Sequence, residues 1–342
     1  REIRKAAKHK REWRMKMSEP VELKRHNLRP YSELCDMLTE KKKCAYVSAT
    51  GTGKSFVVAK YIVEHDLSDK TLILVPNNVI RNNWAMLSPG IQIRTYHGMC
   101  YSEYNISGIE LLVCDEMHHL GATDWGSLYR NLIAHYDGEI IGLSATPIRF
   151  LDKCRDMTIE FFEGNVVRGL DLPQAISEGV LPSFDYTTAL YNLPEHVAVA
   201  TARKGAPVYT EALIKRLDLM NSQYTFKRVL QEKLCDDEIH KVAVFVDRIS
   251  RIEEVKAICE SAFPKAAHYV AHSALSEGDA DIAVAQFSND QTTCFLYTVD
   301  MFNEGAHIDG VDTVIMFRKT ESPIVYLQQL GRAMTHSMAN RR

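Results

Sequence analysis

The chain has 342 residues, 46% hydrophobic and 25% charged, the composition of a folded protein of about two domains and not of a disordered or fibrous one. No apolar run approaches the roughly 20 residues a membrane helix needs, and no signal-peptide core is present. The formal net charge of −3 argues against a polyanionic partner only until its distribution is read: residues 1–43 hold 14 Lys or Arg against 7 Asp or Glu, leaving 27 against 37 elsewhere.

In chain order, residues 1–16 come first, with eight basic and two acidic side chains. They read as a solvated helix, either a linker or a join to an upstream domain, with DNA contact at most auxiliary. A chain that starts at Arg1 is expected to be a piece of a longer protein. Short apolar runs follow at 44–47, 71–75, 108–114 and 139–143, and again at 241–246, 268–271, 294–298 and 313–317. Most are continuously apolar, as parallel strands covered on both faces would be. Helical patterns between them predict βαβ units, hence an α/β fold with mainly parallel sheets. The expected organisation is a basic N-terminal helix (1–20), a first α/β domain (21–190), a helical connector (191–239) and a second α/β domain (240–342). The eight cysteines form no C-x-x-C pair, and Cys44, Cys114 and Cys294 fall in strand-like runs. Buried free thiols in a reducing cytoplasm explain them better than disulfides or zinc. His118 and His119 are adjacent, and their side chains are expected to diverge too far to share a metal.

The first chemical signal is Ser48-Ala49-Thr50-Gly51-Thr52-Gly53-Lys54-Ser55, between a strand-like run and a helical stretch at 56–62. That context is the one a P-loop needs. Glycines let successive N–H groups turn toward one anion in front of a helix N-terminus. Thr50, Gly51, Thr52, Gly53 and Lys54 would cradle ATP, with Lys54 on the β- and γ-phosphates and the Ser55 hydroxyl on Mg2+. Ser48 stands where the usual G-x-x-x-x-G-K-[ST] has its first glycine.

A P-loop serves kinases, GTPases and motors alike, and the next signal narrows the choice. Run 111–114 ends in Asp115 and Glu116, sixty-one residues after Lys54. Side chains at a strand's C-terminal end emerge where ligands bind in open α/β sheets. Asp115 would hold Mg2+, and Glu116 would accept a proton from the attacking water. For the two residues alone, a solvated strand end would be the simpler explanation.

Asp115-Glu116-Met117-His118 resembles the D-E-x-H box of superfamily 2 helicases, and further segments follow in that family's order. Arg29-Pro30-Tyr31 resembles the R-P-Y-Q segment that contacts the adenine region. Residues 72–76 resemble the segment whose loop touches the nucleic-acid backbone. Ser144-Ala145-Thr146-Pro147 is similar to the S-A-T motif that couples hydrolysis to movement. Residues 244–246 look like the motif opening the second RecA-like domain, and Asn303-Glu304-Gly305 like the fifth motif. Gln328-Gln329-Leu330-Gly331-Arg332 resembles the Q-x-x-G-R motif that supplies an arginine finger. The resemblance runs from about residue 25 to residue 336 and is nearest in wording to bacterial helicases of the type III restriction Res-subunit kind.

This resemblance implies two RecA-like domains with Mg-ATP between them, Arg29, Tyr31 and Gly305 among the nucleotide contacts, and Glu116, Lys54, Gln328 and Arg332 as catalytic groups. Ser144 and Thr146 would couple hydrolysis to movement. The implied partner is nucleic acid, DNA for preference, gripped through its backbone without sequence preference. Pro76, Asn77, Asn78, Arg81, Thr95, His97, Thr298 and Asp300 are the candidate contacts, each open to a competing explanation as a turn or cap. Four departures stand out: Ser32 for the family's Gln, His307 for an Asp, Thr335 for the second Arg of the last motif, and little chain beyond it, which predicts a truncated second domain. Besides a helicase, two other readings fit: a duplex translocase or remodelling subunit of a restriction or defence complex, or a nucleotide-gated sensor with slow hydrolysis.

Overall fold

The computed structural model describes residues 21–88, 90–100, 106–149, 152–185, 226–234, 239–272, 274–299, 308 and 310–317. They divide into two units, the first reaching Pro182 and the second taking the described residues from Ser183 on. The expected basic helix and most of the expected connector lie outside the described residues, although residues 226–233 are helical.

In the first unit, helix α1 (Leu28–Lys41) ends on Lys42 in the left-handed conformation, and the chain drops into β1 (Lys43–Val47). The P-loop leads from β1 into α2 (Lys54–Glu64). There follow β2 (Thr71–Val75), α3 (Asn78–Leu87), β3 (Gln92–Thr95), α4 (Tyr96–Cys100), β4 (Leu111–Cys114), α5 (Gly126–His135) and β5 (Glu139–Ser144). A two-stranded antiparallel ladder of β6 (Ile148–Arg149) and β7 (Arg155–Asp156) precedes α6 (Met157–Phe162), β8 (Val166–Arg168) and α7 (Leu172–Ser177).

Six of these strands form one parallel sheet in the order β3-β2-β4-β5-β1-β8. Successive side chains of a strand face opposite sides, and the core divides accordingly. Cys44, Tyr46, Ile73, Val75, Leu111, Val113, Ile141 and Leu143 pack with Leu34 and Leu38 of α1, Val58 and Ile62 of α2 and Trp84 of α3. Ala45, Val47, Leu72, Leu74, Leu112, Cys114 and Ile140 pack on the other face with Tyr96, Tyr129, Ile133, Phe161 and Phe162. Both faces are covered, which is why the sequence runs are apolar throughout.

The second unit carries β9 (Lys241–Val246), α8 (Ile252–Ala262), β10 (Ala267–His272), α9 (Glu277–Asn289), β11 (Cys294–Val299) and β12 (Thr313–Phe317). Its four-stranded sheet, β10-β11-β9-β12, is also wholly parallel.

The fold corrects the sequence reading in three places. The run at 108–114 is a strand only over Leu111–Cys114, because Gly108 turns with φ 84°. Strand β3 was not anticipated: it is an edge strand whose burial alternates, so it carries no continuous apolar run. Strand β8 has three residues with one buried, too short to register, yet it lies directly beside β1. All seven described cysteines are free, and Cys44, Cys114 and Cys294 are buried as expected; burial pushes the Cys44 thiol up to about 12.

Candidate active site

Parallel register brings the C-terminal ends of β1, β5 and β4 to one edge of the first sheet. Val47 pairs with Ser144, and Cys114 with Gly142. With β5 between them, β1 and β4 end about 10 Å apart at the usual strand spacing, room for a phosphate chain and a metal ion.

The loop from β1 turns at Thr50–Gly51, with left-handed φ at Gly51 (83°) and Gly53 (94°), a conformation that favours glycine. No side chain caps the first turn of α2, so that helix start presents its N–H groups and the positive end of its dipole. A β-carbon on Gly53 would lie 3.1 Å from Asn27 Nδ2. The loop is held from inside. Thr52 Oγ1 donates to Ala49 O (2.8 Å) and lies 2.8 Å from Ser48 Oγ. Lys54 Nζ donates to Ser48 O (2.9 Å) and Ala49 O (3.2 Å). Burial pushes the lysine's pKa down, and the carboxylates of Glu116 and Asp115 push it back up; Lys54 is thus the charge that the loop and the acidic pair share. Ser55, half-buried, follows it in the first turn of α2.

Asp115 is 7% exposed. Its Oδ2 accepts from Trp84 Nε1 (2.6 Å) and its Oδ1 from the Glu116 amide (2.9 Å), while its backbone oxygen accepts from Tyr96 (2.8 Å). Burial first and the neighbouring Glu116 charge second push the Asp115 carboxyl up to about 6, against the Trp84 hydrogen bond and Lys54. A buried carboxylate with too little positive charge around it suits a hard cation. Oxygen donors from Asp115 and Ser55 match what Mg2+ takes from a protein, since that ion draws its other ligands from phosphate and water. Glu116 is left-handed, with φ 49° and ψ 56°, costing about 1–3 kcal/mol for a residue with a side chain. Its Oε2 lies 3.5 Å from His118 Nδ1. His118 and His119 do not diverge as expected: in the tight turn Met117–Gly121 their rings sit 4.5 Å apart, His119 over Tyr96. Among the described residues no three His, Cys, Asp or Glu side chains converge to hold a metal.

Ser144 is fully buried at the end of β5. Its hydroxyl accepts from the Thr146 amide (3.1 Å), and its carbonyl accepts from the Ser48 amide (3.2 Å). The S-A-T segment therefore touches the first residue of the P-loop directly.

Other expected residues fall elsewhere. Tyr31 donates to Glu64 and lies under Lys60; Glu64 is ten residues along α2 from Lys54, about 15 Å at the helical rise, so that hydroxyl serves α1–α2 packing and not the cradle. Arg29 is exposed and pairs with Glu33 one turn on. What reaches the loop from this segment is His26 Nε2 (2.9 Å) and Asn27 Nδ2 (2.8 Å), both donating to Thr52 O, with Tyr46 donating to Asn27 Oδ1. Sequence reasoning missed these two residues, and missed Trp84 and Tyr96, for want of any local signal. Asn77 caps α3 by accepting from the Ile80 amide (3.0 Å), and Thr95 Oγ1 accepts from the Gly98 amide (3.0 Å); both perform the competing capping role. Asn78, Arg81 and His97 are exposed and Pro76 is half-exposed. Thr298 is fully buried in β11, which corrects its assignment as a backbone contact. Asp300, Gly305, Gln328 and Arg332 lie outside the described residues.

Fold and site together define an α/β protein in which a glycine-bearing loop before a helix start lies beside a carboxylate pair. The family model for the helicase conserved C-terminal domain matches residues 225–336. Over 251 residues, 64% of this chain, it is 22% identical to the type I restriction enzyme EcoKI endonuclease subunit of Escherichia coli, and spans only 20% of that relative's length. Among solved structures it resembles the Hef helicase domain of Pyrococcus furiosus at TM-score 0.51 and 14% identity, covering 91% of this chain and 94% of that one. It also resembles the DNA-bound type ISP restriction-modification enzyme LlaBIII at TM-score 0.62 and 15% identity, covering 94% of this chain and 27% of that one. The family match places a helicase conserved C-terminal domain at residues 225–336, and the structural likenesses show a fold shared with these proteins.

Proposed function

We propose that the chain is a nucleic-acid-dependent ATPase of the DExH helicase type, coupling Mg-ATP hydrolysis to translocation on, or unwinding of, DNA. The observation that carries this reading is the convergence on Lys54: the loop carbonyls bind its ammonium while the charges of Asp115 and Glu116 act on the same group. Lys54 would move from those carbonyls to the β- and γ-phosphates, and Ser55 and Asp115 would hold the metal. Bound Mg2+ supplies charge neutralisation at the phosphates. Glu116 would take the proton of the attacking water at its carboxylate, and Gln328 and Arg332 would reach the γ-phosphate. Ser144 and Thr146, hydrogen-bonded beside Ser48, are the proposed relay to the nucleic-acid side. Exposed Asn78, Arg81 and His97 remain the proposed backbone contacts.

ATPase rate measured against single-stranded DNA, duplex DNA and RNA tests the reading. Stimulation by at least one is expected; stimulation by none sinks it. A second reading, duplex translocation without strand separation, is favoured by the two restriction-enzyme matches. Triplex displacement without strand displacement would select it.

A further inference from the structure

Strand β8 does not stop supporting β1 where the strands end. Gly169 N donates to Val47 O (2.9 Å), and Leu170 O then accepts from Ala49 N (2.8 Å) and from Ser48 Oγ (3.0 Å). The parallel ladder thus continues two residues into the P-loop. The far side of the hook is fixed: Asp171 and Gln174 form a reciprocal capping box, and Pro173 sits in the first turn of α7.

A β-carbon on Gly169 would lie 2.6 Å from Ser48 Oγ, 2.8 Å from Ser48 Cβ and 2.9 Å from the Tyr46 hydroxyl. Gly169 is not among the residues with positive φ, so the position calls for the missing side chain and not for backbone freedom. Its neighbours have little room to give. Ser48 is 3% exposed and its hydroxyl is engaged by Thr52 and Leu170, while Tyr46 is fully buried and bonded to Asn27.

We propose that Gly169 and Leu170 are positioning residues of the P-loop, and that residue 169 must be glycine because residue 48 is not. The space that the usual motif frees with its first glycine is filled here by Ser48 Oγ, which ties Thr52 to Leu170, and the glycine has moved across to the facing segment. Ser48 and Ala49 are the residues whose carbonyls hold Lys54, so pushing them off Leu170 displaces the catalytic lysine. The proposal rests on the ATPase reading for its functional consequence, but the brace itself is measurable without nucleotide.

The test is a cycle of Gly169→Ala, Ser48→Gly and the double variant, read by amide exchange at Ala49 and by kcat/KM for ATP. Gly169→Ala is expected to speed Ala49 exchange and to lower kcat/KM on the order of 10²-fold, the effect of a displacement near 1 Å in a catalytic group. Ser48→Gly alone is expected to be milder. In the double variant it removes two of the three collisions, and both readouts return toward wild type. Wild-type exchange and turnover in Gly169→Ala would overturn the proposal, as would losses that simply multiply in the double variant. Should Gly169→Ala fail to fold, a folded double variant with Ala49 protected supports the brace and an unfolded one overturns it. If the exchange cycle behaves as expected but the wild type never hydrolyses ATP, the ATPase reading fails and the brace stands.

Discussion

The proposed chemistry rests on Lys54, Asp115 and Glu116, and each side chain can be tested by itself. Lys54→Ala is expected to abolish nucleotide binding, measured with a fluorescent ATP analogue. Glu116→Gln should retain binding and lose turnover; hydrolysis at the wild-type rate would remove Glu116 from the role of base. Asp115 makes a pH-dependent prediction. Its carboxyl is pushed up to about 6 by burial, from 3.8, so folding disfavours its charged form. The penalty is absent below about pH 4, grows as pH rises, and is complete above about 6. In metal-free buffer at pH 7.5, Asp115→Asn is therefore expected to stabilise the protein by about 1–3 kcal/mol, part of the gain offset by a lost backbone hydrogen bond. The gain should vanish near pH 4 and should come with loss of magnesium-dependent turnover. A lower melting temperature for Asp115→Asn at pH 7.5 would count against this balance. The carboxylate pair itself was readable in sequence because an apolar run ended on it. Its hydrogen-bond partner Trp84 was not, being 31 residues away on α3, where a tryptophan reads only as core.

At the scale of elements, the acidic turn sits on a tightly filled layer. Gly142 in β5 faces Met117 and Phe162: a β-carbon there would collide with the Phe162 ring and come within 2.7 Å of Met117 Sδ. Gly142→Ala is expected to cost about 1–3 kcal/mol by overpacking, seen as a lower midpoint in urea, and to slow hydrolysis by moving the turn that carries Glu116. The ladder of β6 and β7 clamps the same turn, with Arg149 donating to His118 O (2.8 Å) and Arg155 to Gly121 O (2.9 Å). Long apolar elements were legible because periodicity is a local property. Short ones that matter as much, β8 above all, were not: three residues carry too little pattern, and their place beside β1 is fixed by pairing alone.

For the whole molecule, the net charge of −3 does not oppose a nucleic-acid partner, since backbone amides and helix starts can hold phosphates without formal charge. DNA-stimulated ATPase activity is nonetheless expected to weaken as salt rises from 50 to 200 mM, because phosphate contacts release counterions; a salt-independent stimulation would point away from backbone binding. The sequence by itself determined the α/β class, the glycine-bearing loop between strand and helix, and the acidic pair at a strand end, because each is a pattern within a dozen residues. Tertiary structure alone decided that Asn27 and Leu170 hydrogen-bond that loop, that Tyr31 does not, and that Thr298 is buried. Those contacts join residues far apart in the chain through the register of parallel strands, and no local pattern encodes which side chains such a register brings face to face.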